Sequence, residues 1–289
     1  MTTVHAPTGA AVNTTWKNAP THTVNAGGVR FAYRQLGPDT GVPLVFLHHL
    51  TAVLDDWDPR VIDGIAAKRR VITFDNRGIG ASSGSVPHTV EEMARDAIAF
   101  IRALGLEQVD LLGFSLGGGV AQVIAMEEPQ LVRKVILAGT GPAGGEGIDK
   151  VTSVTIRDMI KGALTFKDPK QSLFFTTTAN GKLAARKFLQ RLKERTDHRD
   201  TPISLTSFRA QLKAIHAWGG QEPSDLTGIE QPVLVANGED DRMVPSSNSA
   251  DLAQRLPHAQ LILYPDAGHG GIFQYHEVFV PEALKFLES

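Results

Sequence analysis

Cysteine is absent from the whole 289-residue chain. That one absence removes disulfide staples, thiolate metal sites and a cysteine nucleophile together, and it fits a reducing cytoplasm. Long apolar runs are absent too: no stretch approaches the roughly 18 consecutive apolar residues that a membrane-spanning helix needs. Residues 1–20 lack the apolar core and dense basic flank of a secretory signal and read as a loose, flexible polar arm. Nor is there an excess of charge of one sign. Lys and Arg number 29 against 31 Asp and Glu, a net charge of −2, and nothing favours nucleic acid, a membrane surface or a polyanionic ligand. The expectation is a soluble, cytoplasmic protein acting on a small-molecule partner, with the oligomeric state left open. The length suffices for one large α/β domain, which buries about 75% of its unfolded surface, or for two small ones.

What is present is a rhythm of strands and helices. Val24–Asn25 and Val29–Leu36, joined at Gly27-Gly28, predict an opening hairpin. Strand-like runs follow at Pro43–Leu47, Arg70–Phe74, Val109–Leu112, Val132–Ala138, Pro232–Ala236 and Leu261–Tyr264, with helical patterns between many of them. Thr89 followed by Glu92 has the spacing of a capping box. Met93, Ala97, Phe100, Ile101 and Leu104 then recur at helical spacing, which marks a core face. Such alternation predicts a mostly parallel central sheet flanked by helices, with ligands bound beyond the carboxyl ends of the strands. The rhythm breaks between 141 and 228, where helical patterns near 149–162, 182–195 and 202–218 suggest an inserted helical cap. The core is then 21–140 together with 229–289. Phe174, Phe175, Phe208 and Trp218 fall in the cap, where they should pack it and in part line an apolar pocket.

Chemistry concentrates first at Gly113-Phe114-Ser115-Leu116-Gly117, between an apolar strand and a helical pattern. A serine at such a tight strand-to-helix turn is held in a strained conformation that presents its hydroxyl. Glycine at 113 and 117 is required because larger side chains would collide there. Serine is a poor nucleophile at neutral pH, so a base, an acid and an oxyanion hole must lie elsewhere. His269, in Asp266-Ala267-Gly268-His269-Gly270-Gly271 after the last strand, is placed to be the base. The acid should come from Asn237-Gly238-Glu239-Asp240-Asp241-Arg242 after the preceding strand. Adjacent side chains in an extended segment point opposite ways, so only one of Asp240 and Asp241 can face the histidine.

From Thr21 onward the chain resembles the α/β-hydrolase family, in its serine esterase, lactonase and haloperoxidase-like branch. Besides the elbow, Asp75-Asn76-Arg77-Gly78-Ile79-Gly80-Ala81-Ser82 is similar to the family's Asp-x-Arg-Gly-x-Gly-x-Ser loop. Gly238-x-x-Asp241-x-x-Val244-Pro245 is similar to its acid loop, and Ala267-Gly268-His269 to its base loop. The resemblance implies Ser115, Asp241 and His269 as the catalytic triad, with Asp75 and Arg77 as structural braces. It also implies an oxyanion hole from two backbone N–H groups. One is that of Leu116, at the start of a helix whose dipole adds positive potential. The other is that of Leu50, in the loop after Leu44–Leu47. There the family usually has His-Gly-x, and this chain has His48-His49-Leu50. If the replaced glycine needs φ > 0, His49 must adopt that conformation at some cost.

Other motifs point to nothing further. His48 and His49 should face opposite ways and cannot readily share one ion, and no His-Glu-x-x-His spacing appears. Gly139-Thr140-Gly141-Pro142-Ala143-Gly144 has a dinucleotide-like pattern, but Gly145-Glu146-Gly147 prolongs the loop where a helix should open. Asp55, Asp56 and Asp58 read as a solvated helix start. No metal and no cofactor is expected. The function implied is hydrolysis of a small to medium, largely apolar ester or lactone through an acyl-enzyme on Ser115. Two alternatives stand beside it. One is C–C bond hydrolysis or cofactor-free perhydrolysis on the same triad, and the other a small-molecule receptor with a vestigial triad.

Overall fold

A computed structural model of the protein describes residues 14–165 and 167–289. Strands β1 (His22–Ala26), β2 (Val29–Leu36), β3 (Leu44–Leu47), β4 (Val71–Phe74), β5 (Val109–Phe114), β6 (Val132–Ala138), β7 (Val233–Gly238) and β8 (Ala259–Tyr264) form one sheet. Its order is β1-β2-β4-β3-β5-β6-β7-β8. The β1–β2 and β2–β4 pairs are antiparallel and all later pairs parallel. Strands β3, β4, β5 and β7 are buried at every residue, as expected of parallel strands covered on both faces. The covering helices are α1 (Pro59–Ala66), α2 (Val90–Ala103), α3 (Leu116–Glu127), α8 (Ser247–Arg255), the short α9 (Gly271–Gln274) and α10 (His276–Glu288). At the start of α2 the Thr89 hydroxyl accepts from the Glu92 N–H at 3.2 Å, as its spacing predicts. A cap of this kind stabilises a helix by about 1 kcal/mol.

Between β6 and β7 lie α4 (Val151–Thr165), α5 (Lys170–Phe174), α6 (Ala179–Arg191) and α7 (Leu205–Gly219). The sequence pattern finds three of these and misses α5, which is too short for a periodicity to show.

Two expectations need correction. The polar arm ends earlier than residue 20. Residues 1–13 lie outside the described residues, but Trp16 is buried, its N–H donates to Asp63 Oδ1 at 2.6 Å, and the Arg34 guanidinium lies 5.2 Å from its ring centroid. One large aromatic ring is enough to fasten a segment whose composition otherwise reads as loose. The acids at 55–58 are also not solvated. Asp58 does cap α1, accepting from the Arg60 N–H at 3.0 Å, yet it is fully buried and forms a two-pronged pair with Arg191 at 2.6–2.9 Å. Asp55 pairs with Arg34 at 2.7 Å and Asp56 with Lys170 at 3.2 Å. Their partners are far away in sequence, so local pattern could not reveal them.

Candidate active site

The strand-to-helix turn at 113–117 is built as its glycines require. Ser115 sits at φ 56°, ψ −118°, outside the regions open to ordinary residues, at the head of α3. A Cβ on Gly113 would overlap the carbonyl of Gly117, and one on Gly117 the carbonyl of Leu47. The turn is pinned by the Ser115 N–H donating to Ala138 O at 2.9 Å and by the Thr140 hydroxyl donating to Ser115 O at 2.8 Å.

Asp241 and His269 come together from loops after β7 and β8. His269 Nδ1 lies 2.8 Å from Asp241 Oδ2, and both side chains are buried. The other carboxylate oxygen, Oδ1, accepts from the N–H groups of Met243 (2.8 Å) and Val244 (3.1 Å). Asp241 is thus fixed in rotation while it holds Nδ1 of the imidazole, which leaves Nε2 for other work. Asp240 is exposed, and its backbone N–H binds Ala267 O at 2.9 Å. The alternation of adjacent side chains therefore separates the two aspartates as expected.

Leu50 and Leu116 are both buried, and each lines a cavity that Ser115 also lines. The Leu116 N–H is the first of α3 and has no intrahelical acceptor. His49 does not take a positive φ, so the cost that such a conformation would carry does not arise. Positive φ falls two residues later, at Thr51 (φ 68°), whose N–H donates to Gln211 Oε1 at 2.8 Å. His49 Nδ1 lies 2.7 Å from Leu50 O, so that nitrogen carries the proton, since a carbonyl can only accept. His48 turns elsewhere, its ring 5.8 Å from that of Trp57, whereas His49 sits 5.3 Å from Phe114 and 5.2 Å from Phe174. Burial pushes both imidazoles down, His48 to about 3 and His49 to about 4. Both are neutral near pH 7. Asp56 and Lys170 pair close by: burial opposes the Asp56 carboxylate, but the Lys170 ammonium holds it below the usual carboxylate range.

Asp75 and Arg77 brace the neighbouring loop. Asp75 accepts from the N–H groups of Leu54 and Ala81, each at 3.0 Å, and Arg77 pairs with Asp96 at 2.7 Å. Burial, with Asp200 nearby, nonetheless pushes the Asp75 carboxyl up to about 8.

Ser115, His269, Leu50 and His49 all line one cavity of about 210 Å³, together with Phe174 and Met159 from the inserted helices. Ser115 and Leu116 also line a second, smaller cavity of about 30 Å³, walled by Trp218 and Ile215. A wider surface cleft of about 760 Å³ near Asp39 and Arg70 holds none of the predicted site residues. Among the described residues no group of three or more His, Asp or Glu could hold a metal ion. None of their helices is long and apolar enough to cross a membrane. The 139–144 glycines form a loop that leads into the 3-10 turn Ile148–Lys150, so no dinucleotide-type helix opens there. Sequence reasoning missed Gln211 and Lys170. Each reaches the site from a helix whose place over the sheet no local pattern records.

A doubly covered sheet, a serine on a strained elbow after β5, and Asp and His after the last two strands, β7 and β8, define a class. The chain belongs to the alpha/beta hydrolase fold family, whose model matches residues 42–274. It is 40% identical, with a TM-score of 0.90, to an alpha/beta hydrolase fold protein from Chitinophaga pinensis, covering 96% of this chain and 100% of that one. It is 29% identical to a non-heme chloroperoxidase of Streptomyces lividans, over 91% of this chain and 97% of the relative. It is also similar to the structure of Est816, described as an N-acyl homoserine lactone degrading enzyme, at 25% identity and TM-score 0.71, covering 92% and 99%.

Proposed function

We propose that this alpha/beta hydrolase is a serine hydrolase that cleaves a small to medium, largely apolar ester or lactone. The observation that carries the proposal is the opening of Ser115 and of His269, itself held by the buried Asp241, onto the same apolar cavity. Ser115 Oγ attacks the carbonyl carbon and its proton passes to His269, whose imidazolium Asp241 orients and stabilises. The N–H groups of Leu50 and Leu116 hold the oxyanion, and water then releases the acid. Residues 141–228 act as the cap that keeps the pocket apolar. The chemistry requires no cofactor or metal, so turnover should survive prolonged chelation with EDTA.

The similarity to the Streptomyces chloroperoxidase favours one second reading on the same triad. Hydrogen peroxide would replace water and release a peracid. The test is turnover against a panel of esters and lactones, with intact-mass detection of an acyl-enzyme and with peroxide added in a parallel series. Release of acid with a Ser115 adduct supports the hydrolase. A ligand-induced rise in melting temperature with no product and no adduct would point instead to a receptor.

A further inference from the structure

Two cavities meet at Ser115, and they differ in size, in lining and in access to His269. The larger, about 210 Å³, includes His269, Phe174 and Met159. The smaller, about 30 Å³, includes Leu116, Trp218 and Ile215 but not His269. Ester cleavage imposes a direction on such a site. The group that takes the serine proton must return it to the departing alkoxide oxygen, so the alcohol has to lie on the histidine side. The acyl chain then has only the other side.

We propose that the small cavity is the acyl site, that Trp218 sets its depth, and that the substrate is an ester of a short acyl group, about two to four carbons, with a bulkier apolar alcohol. This rests on the triad assigned above. A cavity of this size holds roughly two water-sized groups, which leaves room for one to three carbons beyond the carbonyl. Its lining is apolar in effect, because the Thr140 hydroxyl is already committed to Ser115 O at 2.8 Å. Its wall is fixed. Trp218 Nε1 donates to Gly141 O at 3.4 Å, and the indole lies so close over α3 that a Cβ on Gly119 would come within 3.3 Å of the ring. Ile215, one turn earlier on α7, continues the wall.

In the balanced reaction the Ser115 Oγ–acyl carbon bond forms and the proton moves to His269. The acyl carbon–alkoxy oxygen bond then breaks. His269 protonates the alkoxide, which leaves as the alcohol through the larger cavity. Water then attacks the acyl carbon and gives its proton to His269; the acyl carbon–Ser115 Oγ bond breaks, His269 returns the proton to Oγ, and the short acid departs.

The experiment compares kcat/KM for p-nitrophenyl acetate, butyrate, hexanoate and octanoate in the wild type, Trp218→Ala and Trp218→Leu, with melting curves to verify folding. The wild type should lose at least tenfold between butyrate and octanoate. Both variants should recover most of that loss without a matching gain on acetate. A parallel series of acetates of ethanol and of cyclohexylmethanol is run with Met159→Trp, which narrows only the larger cavity. It should lose at least fivefold on the bulky alcohol and keep the acyl profile. A wild type fastest on octanoate, or an acyl profile unmoved in the Trp218 variants, overturns the assignment. So does an acyl profile moved by Met159→Trp, which would reverse the two cavities. If Ser115→Ala retains turnover, the nucleophile is wrong; if turnover depends on Ser115 but the profile stays put, only the division of the site is wrong. No turnover of any ester by the folded wild type overturns both.

Discussion

Strands β3, β4, β5 and β7 are buried along their whole length, whereas the helices between β6 and β7 leave Ile156, Ile160, Leu164, Leu183 and Leu205 exposed. The two regions also differ in how they are held. The sheet is fastened by apolar burial, which is strong but has no preferred direction. The inserted helices share that apolar core through Phe174, Phe188, Phe208 and Trp218, and are tied down in addition by ion pairs: Arg191 to Asp58, Lys170 to Asp56, Asp200 to Arg34, and Arg242 to Asp158. Gln211 reaches the loop holding Leu50, and Thr176, Thr178 and Asn180 bind Asp266, three residues before His269. Directional polar contacts fix where the helices sit over the strand ends. The sheet therefore carries the proposed reacting groups at fixed positions, and the insertion covers the space above them.

The comparison predicts that chemistry will fail most at residues carried by strand ends, without loss of fold. Ser115→Ala should lower turnover by a factor on the order of 10⁴ to 10⁶ and abolish labelling by a fluorophosphonate, with an unchanged melting temperature. Removing the strained serine rotor costs the sheet nothing it packs with. Undiminished turnover in the folded variant would remove Ser115 from the mechanism.

Next in size is the contrast between two neighbours on the β7 loop. Asp241→Asn should cost about 10⁴ in kcat, because an amide in place of the carboxylate favours the wrong imidazole tautomer. Asp240→Asn should stay within about tenfold, or 1.4 kcal/mol, since its side chain faces solvent. Steady-state kinetics on both variants checks the pair, and the opposite pattern would move the acid to Asp240.

A third prediction addresses the fastening of the insertion. Asp58→Ala leaves the largely buried Arg191 guanidinium without its carboxylate partner, and breaking such a pair costs up to about 3–5 kcal/mol. The loss should appear as a lower urea midpoint and, if the insertion loosens before the sheet, as faster proteolysis within 141–228. Restoration to within about 1 kcal/mol by Asp58→Asn would show that hydrogen bonding, not charge, carries the contact.

Acid should also weaken the protein through the sheet side of the site. His48 and His49 have folded-state values of about 3 and about 4 against an ordinary 6.5, lowered chiefly by burial. The unfolded chain therefore takes up these protons first. Their stabilising contribution is complete above about pH 6.5 and is lost as pH falls toward 4 and then 3. At about 1.4 kcal/mol per unit, His49 accounts for roughly 3 kcal/mol and His48 for roughly 5 over their full windows. The Asp75 carboxyl, pushed up to about 8, acts in the opposite sense over the same range, so the test is a difference: between pH 7 and 4 the urea midpoint of the wild type should fall relative to that of His49→Phe. An unaltered slope in that variant would remove His49 as a source of the acid sensitivity.

The same division explains what the sequence could and could not tell. The elbow at Ser115, the His269 loop and the order of strands are local, since each is written in a few adjacent residues under steric constraint. Asp241 is singled out by the resemblance of Gly238-x-x-Asp241-x-x-Val244-Pro245 to the family's acid loop, and its carboxylate does meet His269. What was missed is long-range. Trp16 packing on α1, the pairing of Asp55, Asp56 and Asp58 with distant cations, and the reach of Gln211 to Thr51 depend on where the insertion lies. The positive φ weighed for His49 falls instead at Thr51, where the loop turns after Leu50 and the Thr51 N–H donates to Gln211 Oε1 of that same insertion.

The smallest effect is expected where the insertion meets solvent. Leu164, on the last turn of α4, is 77% exposed, and leucine and lysine have nearly equal helix propensity. Leu164→Lys removes no packed contact and adds a charge that favours the carboxyl end of a helix. Its urea midpoint should shift by no more than corresponds to about 0.5 kcal/mol, in either direction, and its turnover should be unchanged. A comparable apolar-to-charged change in the sheet, such as Leu112→Lys on the fully buried β5, should prevent folding, because an unpaired ammonium cannot be accommodated there. A loss above about 2 kcal/mol for Leu164→Lys would mean that the face is covered in solution. The wild-type urea midpoint would then rise with protein concentration, and that of the variant would not.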